Sequence, residues 1–130
     1  MKRFLLLILI VSFSVSASEQ AITQYVYNTL ERAQANLDKG NIEAAEQIYY
    51  DNANYAWSSR SYDHFVILRT YAYFLISYER NEEALKYLRQ ASLKRDMPPY
   101  DIFELNFTLG QVYYVNGDRE NAKKTLLKWV

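Results

Sequence analysis

The sequence predicts an all-α fold, a stack of three helical hairpins. Three observations predict it. Apolar residues recur every three or four positions through almost all of the chain after residue 18, which is the helical period and not the strand period. Small residues return at a fixed offset: Ala33 precedes Ala45, Ala72 precedes Ala84 and Gly110 precedes Ala122, by 12 positions each time. The breakers are few, 3 Gly and 2 Pro, and apart from Gly110 they fall between the periodic stretches. Small residues are needed at both places because the two helices of a hairpin cross closest there.

The first residues read as a leader. Met1-Lys2-Arg3 is basic, Phe4 to Phe13 is almost wholly apolar, and Val15-Ser16-Ala17 offers small residues before the polar Ser18-Glu19-Gln20. That is the layout of a secretory signal peptide over 1–17, cut after Ala17, with a helical domain over 18–130. The apolar run is shorter than the ~20 residues a bilayer span needs. No Cys follows it, so a lipid cannot be attached at an N-terminal Cys. Losing Lys2 and Arg3 leaves 13 basic against 15 acidic residues, and a secreted chain without Cys points to a bacterial periplasm. With a formal charge of zero overall, bulk electrostatics does not call for nucleic acid as a partner.

The hairpins are expected at about 19–57, 62–94 and 99–130. Helix one spans Glu19 to Lys39, with the stripe Ile22, Val26, Leu30, Ala33 and Leu37. Gly40 ends it in the left-handed conformation and Asn41 caps the next helix. Helix two spans Ile42 to Trp57, with Ala44, Ala45, Ile48, Tyr49 and Ala53 inward. Helix three, Tyr62 to Tyr78, is apolar over most of its circumference and belongs between neighbours. Asn81 is expected to cap helix four, which runs from Glu82 to Lys94 and stops before Pro98-Pro99. The last hairpin carries Leu105, Leu109, Val112 and Tyr113, a Gly117-Asp118 turn, then Ala122, Leu126 and Trp129.

Leu109-Gly110, Tyr113 and Ala122 fit the Leu-Gly-x2-Tyr…Ala core of a tetratricopeptide repeat (TPR). Tyr71-Ala72 with Leu75, then Arg80-Asn81-Glu82-Glu83-Ala84, fits it less closely. In the first unit Arg32 stands where the family has Leu and Asn36 where it has an aromatic. The chain thus resembles a TPR protein over essentially all of residues 18–130. The resemblance implies a right-handed superhelical stack of about three hairpins. The units are spaced by 39 and 38 residues against the family's 34, and the links at 58–61 and 97–99 take up the difference. More narrowly, Tyr62-Asp63, Leu68 to Tyr73, Ala91-Ser92-Leu93 and Met97-Pro98 are similar to periplasmic TPR proteins described as proposed components of TonB-dependent transport systems.

The resemblance also implies where a partner binds. It assigns the inner, concave wall to positions on each first helix. Here those are Tyr27, Leu30 and Gln34, then Val66, Arg69 and Tyr73, then Glu104, Phe107, Gln111 and Tyr114. Aromatic anchors among Gln and Arg suit an extended peptide or a helix. The last hairpin has no polar capping helix after Leu126 and Trp129, so its apolar face is expected to dock another copy or a partner.

Enzymatic signals are weak. His64 is the only histidine, and Asp63 beside it points about 100° away on a helix. Glu82-Glu83 and Glu43…Glu46 open helices, where the dipole favours acids. No residue set has the spacing of a metal or cofactor site, and none is expected. The expected function is a non-enzymatic periplasmic scaffold joining cell-envelope proteins, accessory to TonB-dependent outer-membrane transport; the alternative is a TPR adaptor in envelope or peptidoglycan assembly.

Overall fold

The computed structural model of the chain describes residues 21–129, the side chain of Trp129 excepted. The expected leader and cut site lie outside the described residues. Among the described residues six helices follow one another: α1 Gln24–Asp38, α2 Ile42–Ala53, α3 Tyr62–Ser77, α4 Asn81–Ser92, α5 Pro99–Val115 and α6 Arg119–Trp129. There is no strand among the described residues, so the all-α expectation holds. None of these helices is long and apolar enough to cross a membrane. The tightest partners are α1 with α2, α3 with α4 and α5 with α6; α2 also packs on α3 and α4 on α5, and α1 touches α3.

All three hairpins turn in the same way. The connections are residues 39–41, 78–80 and 116–118. In each, two backbone bonds close the preceding helix in a Schellman motif. Asn41 N–H donates to Asn36 O and Gly40 N–H to Leu37 O; Arg80 N–H to Leu75 O and Glu79 N–H to Ile76 O; Asp118 N–H to Tyr113 O and Gly117 N–H to Tyr114 O, all at 2.8–3.0 Å. The motif needs a left-handed residue, and Gly40, Glu79 and Gly117 supply it with φ of 82°, 63° and 86°. They lie 39 and 38 residues apart, the register already set by Ala45, Ala84 and Ala122.

The small residues sit where the spacing put them. Ala33, Ala45, Ala72, Ala84, Gly110 and Ala122 are all buried. At Gly110 a Cβ would come within 2.6 Å of Leu126 Cγ and Cδ2, so α6 lies directly against the glycine. Ala44 is exposed and takes no part in the crossing, contrary to expectation. The centre of the core is α3, buried nearly all round. Its Tyr71 stacks on Tyr49 of α2 at 5.8 Å and meets Tyr87 of α4 at 4.6 Å, while Phe74 lies 5.3 Å from Tyr49. Offset and tilted rings at these distances add to what burial of their area contributes.

Several helix ends differ from expectation, each for a local reason. Residues 21–23 are not helical; α1 starts at Gln24 because Thr23 Oγ1 accepts from Val26 N–H. Asp63 of α3 in turn accepts from both the N–H and the hydroxyl of Thr23 at 2.9 Å, which fixes how the chain enters. The second helix stops at Ala53 rather than Trp57, because the Trp57 indole N–H turns back onto Asn52 O at 2.7 Å. Asn41 makes no side-chain capping bond, and Asn81 is the first residue of α4 rather than its cap. The fourth helix ends at Ser92, and the link after it is tied to the link after α2. Arg95 N–H donates to Ser59 O at 2.9 Å, Lys94 Nζ to Ser58 O at 2.8 Å, and Arg60 pairs with Asp96.

Candidate partner-binding face

The first helices of the second and third hairpins carry most of the candidate face. On α3, Arg69 lies one turn after Phe65, and its guanidinium carbon sits 5.2 Å from the Phe65 ring centre. That cation–π contact orients the side chain. Its Nη1 is 3.8 Å from Asp101 Oδ1, an ion pair linking α3 to the first turn of α5. Asp101 has almost no exposed surface, and the N-terminal end of α5 favours its charge.

Along α5 the polar residues continue on one face. Asp101, Glu104, Thr108 and Gln111 step by three, four and three, the spacing of neighbours on a helix. Glu104 is only 6% exposed. Its Oε1 and the Oε1 of Gln111 are buried with no hydrogen-bond partner. Burial raises the pKa of Glu104 above the usual carboxylate range; the Arg69 cation opposes this and the Asp101 charge adds to it. Two acids thus share one cation within a largely dry seam. Buried acceptors without donors are costly, and an incoming N–H group would satisfy them.

The remaining expected residues are spread around this seam. Tyr27 and Gln34 of α1 are exposed, and each bonds one turn along its own helix, Tyr27 O–H to Glu31 at 2.9 Å and Gln34 Nε2 to Asp38 at 3.0 Å. Leu30 packs on the core, Val66 is buried, and Tyr73 and Phe107 are half-buried. Tyr114 is exposed at the end of α5, with the Arg119 guanidinium 5.6 Å from its ring centre. Arg69 is thus joined to Asp101 with Glu104 close by, while Tyr114 faces Arg119 at the start of α6. Asp101 was missed in the sequence; its spacing of three from Glu104 is the signal that could have found it.

Two polar constellations lie outside this face. Arg80 reaches both Glu46 of the previous hairpin and Glu83 of its own helix, and Tyr71 O–H donates to Glu46 at 2.7 Å. Arg80 lowers the pKa of Glu46 and of Glu83 by hydrogen bonding. His64 joins α3 to the end of α2, with Nε2 2.8 Å from Ala53 O and its ring stacked on Trp57. Among the described residues no three His, Asp or Glu side chains gather as a metal site requires. No family model, characterised protein or solved structure matches the chain.

Proposed function

We propose that the chain is a non-enzymatic TPR-type scaffold of the bacterial cell envelope, which binds other proteins along the wall made by the first helices of its hairpins. Its hairpins form a right-handed superhelical stack, and the process it serves is TonB-dependent outer-membrane transport. The resemblance of the last two units to TPR sequence supports the class of protein. The observation that carries the binding reading is the seam of buried acceptors, Glu104 Oε1 and Gln111 Oε1, beside the Arg69–Asp101 pair. A peptide laid along the wall would offer these groups backbone or side-chain N–H donors, and Tyr27 would give it an aromatic contact.

The test is capture of partners from an envelope extract on the immobilised chain, with Tyr27→Ala and Glu104→Gln as controls. Both changes leave the hairpin turns and the buried small residues alone, and circular dichroism checks their fold. The wild-type chain should retain a TonB-dependent receptor or the energy-coupling complex, and both variants should lose it. Recovery of peptidoglycan synthases instead would point to the assembly reading. If both folded variants keep every partner, the wall is not the binding surface.

A further inference from the structure

A second surface lies at the far end of the stack. Each earlier second helix is covered on two sides: α2 by α1 and α3, α4 by α3 and α5. The last one, α6, packs on α5, and no described helix covers its other flank. Between α6 and the end of α5 opens a cavity of about 380 Å³, lined by Tyr114, Arg119, Ala122, Lys123, Leu126 and Leu127. The repeat register supplies a comparison for these positions. Ile76 and Leu88 occupy the places equivalent to Tyr114 and Leu126, 38 residues earlier, and both are buried. Here Tyr114 is 58% exposed and Leu126 only half-buried, and Leu127, which stands where the second hairpin has the exposed Arg89, puts an apolar side chain into water at 64% exposure.

The charge around the cavity decides between occupants. Arg119, Lys123 and Leu127 follow one another every four residues on α6, so two cations and an apolar side chain share one edge. No acidic residue lines the cavity, and α6 as a whole carries Arg119, Lys123, Lys124 and Lys128 against Glu120. A second copy meeting it tail to tail would bring like charges together. A second copy offering α1 fits no better. The residues with which α3 meets α2, Tyr71 and Phe74, are Arg32 and Ala35 on α1, both exposed. We propose that this groove docks an amphipathic helix of a partner protein, with an aliphatic or aromatic stripe and acidic flanks, seated on α6 as α3 is on α2 and α5 on α4. Its stripe fills the cavity over Ala122 and Leu127, and its carboxylates meet Arg119 and Lys123.

The probe is a fluorescein-labelled synthetic helix with the apolar spacing of α5 and Glu at the flanking positions, compared with the same peptide carrying Lys there. Fluorescence anisotropy should show the Glu peptide binding in the micromolar range, more weakly at higher salt. The Lys peptide should bind at least about tenfold more weakly. Leu127→Glu, at an exposed position, should also cost about tenfold or more, and the pair Arg119→Glu with Lys123→Glu should reverse the preference. Tyr27→Ala should leave this binding unchanged, which separates it from the wall of the first helices. Equal binding of the two peptides, or no binding of either, overturns the proposal. So does a dimer in sedimentation velocity that Leu127→Glu dissolves, because the occupant would then be a second copy.

Discussion

Arg80 grips Glu46 across the boundary between two hairpins through two parallel hydrogen bonds, Nη1 to Oε1 and Nη2 to Oε2, both 2.7 Å. The guanidinium is oriented from the other side by Glu83, and Glu46 also accepts from the buried Tyr71. A forked, charge-assisted pair of this kind is stronger than a single surface ion pair. Arg80 is 37% and Glu46 24% exposed, so water still weakens it. Arg80→Ala should therefore cost about 1–2 kcal/mol in urea denaturation at pH 7, and Arg80→Lys, which keeps the charge but not the fork, somewhat less. The difference has a defined pH dependence. The pKa of Glu46 is lowered in the folded chain, so its contribution is complete above the unfolded value near 4.5 and is lost as pH falls through the folded value. Wild type and Arg80→Ala should converge in stability in acid; a gap that stays constant to pH 3 would assign the loss to packing.

Gly110 is set by contact, not by backbone conformation. It lies inside α5, where glycine costs about 1 kcal/mol relative to Ala. A methyl group there would overlap Leu126 at Cγ, close to the α6 backbone, so the leucine cannot simply swing its tip away. Overpacking of this sort costs about 1–3 kcal/mol, which exceeds the propensity gain. Gly110→Ala should lose about 1 kcal/mol in wild type and become neutral or stabilising in a Leu126→Ala background. The double-mutant cycle measures the coupling directly; additive effects would mean that the two helices do not press on each other here.

Glu79 occupies the left-handed position that glycine fills in the other two turns. An L residue there gives up about 1–2 kcal/mol to clash with its own backbone. Glycine removes that strain but recovers more entropy on unfolding, about 0.5–1 kcal/mol. On the backbone terms alone, Glu79→Gly gains about 0.5–1 kcal/mol, seen as a higher urea midpoint with an unchanged slope. Gly40→Ala should do the reverse, since its φ is 82°. A lower midpoint for Glu79→Gly would mean that the Glu79 side chain contributes more than its backbone strain removes.

These turns show why the fold was largely legible and the site was not. Helical period and glycine placement are local signals, and they located α3, the C-terminal end of α1 and the turns at Gly40 and Gly117. The turn at Glu79 has no glycine and is placed by the polar residues around Asn81, although Asn81 proves to be the first residue of α4 rather than its cap. The early end of α2 follows from Trp57 and His64 folding back onto carbonyls of Asn52 and Ala53, which no periodicity records. In the candidate face, the sequence names Arg69 but not its partners. That it meets Asp101, and that Glu104 is buried beside them, depends on how α5 lies against α3, which spacing alone does not encode.

His64 gives the last prediction. Ala53 O only accepts, so Nε2 carries the hydrogen of that 2.8 Å bond and Nδ1 is the bare nitrogen. Nδ1 is buried without a partner, and protonating it would place a charge between Trp57 and the end of α2. Burial lowers the pKa, the bond to Ala53 opposes this, and the Lys94 charge adds to it. With the folded value below the unfolded 6.5, the unfolded chain binds more protons in between, so stability is full above pH 6.5 and falls as pH drops from there toward the folded value. Glu104 acts with the opposite sign: its raised pKa makes protonation favour the folded chain as pH falls. A Glu104→Gln background removes that compensation. In it, stability should decline from pH 6.5 to 5, and adding His64→Gln, which keeps a donor for Ala53 O, should flatten the curve. Because His64 is the only histidine, its ring protons report the titration alone in a proton NMR series. The midpoint should lie below 6.5; one at or above that value would contradict the burial of Nδ1.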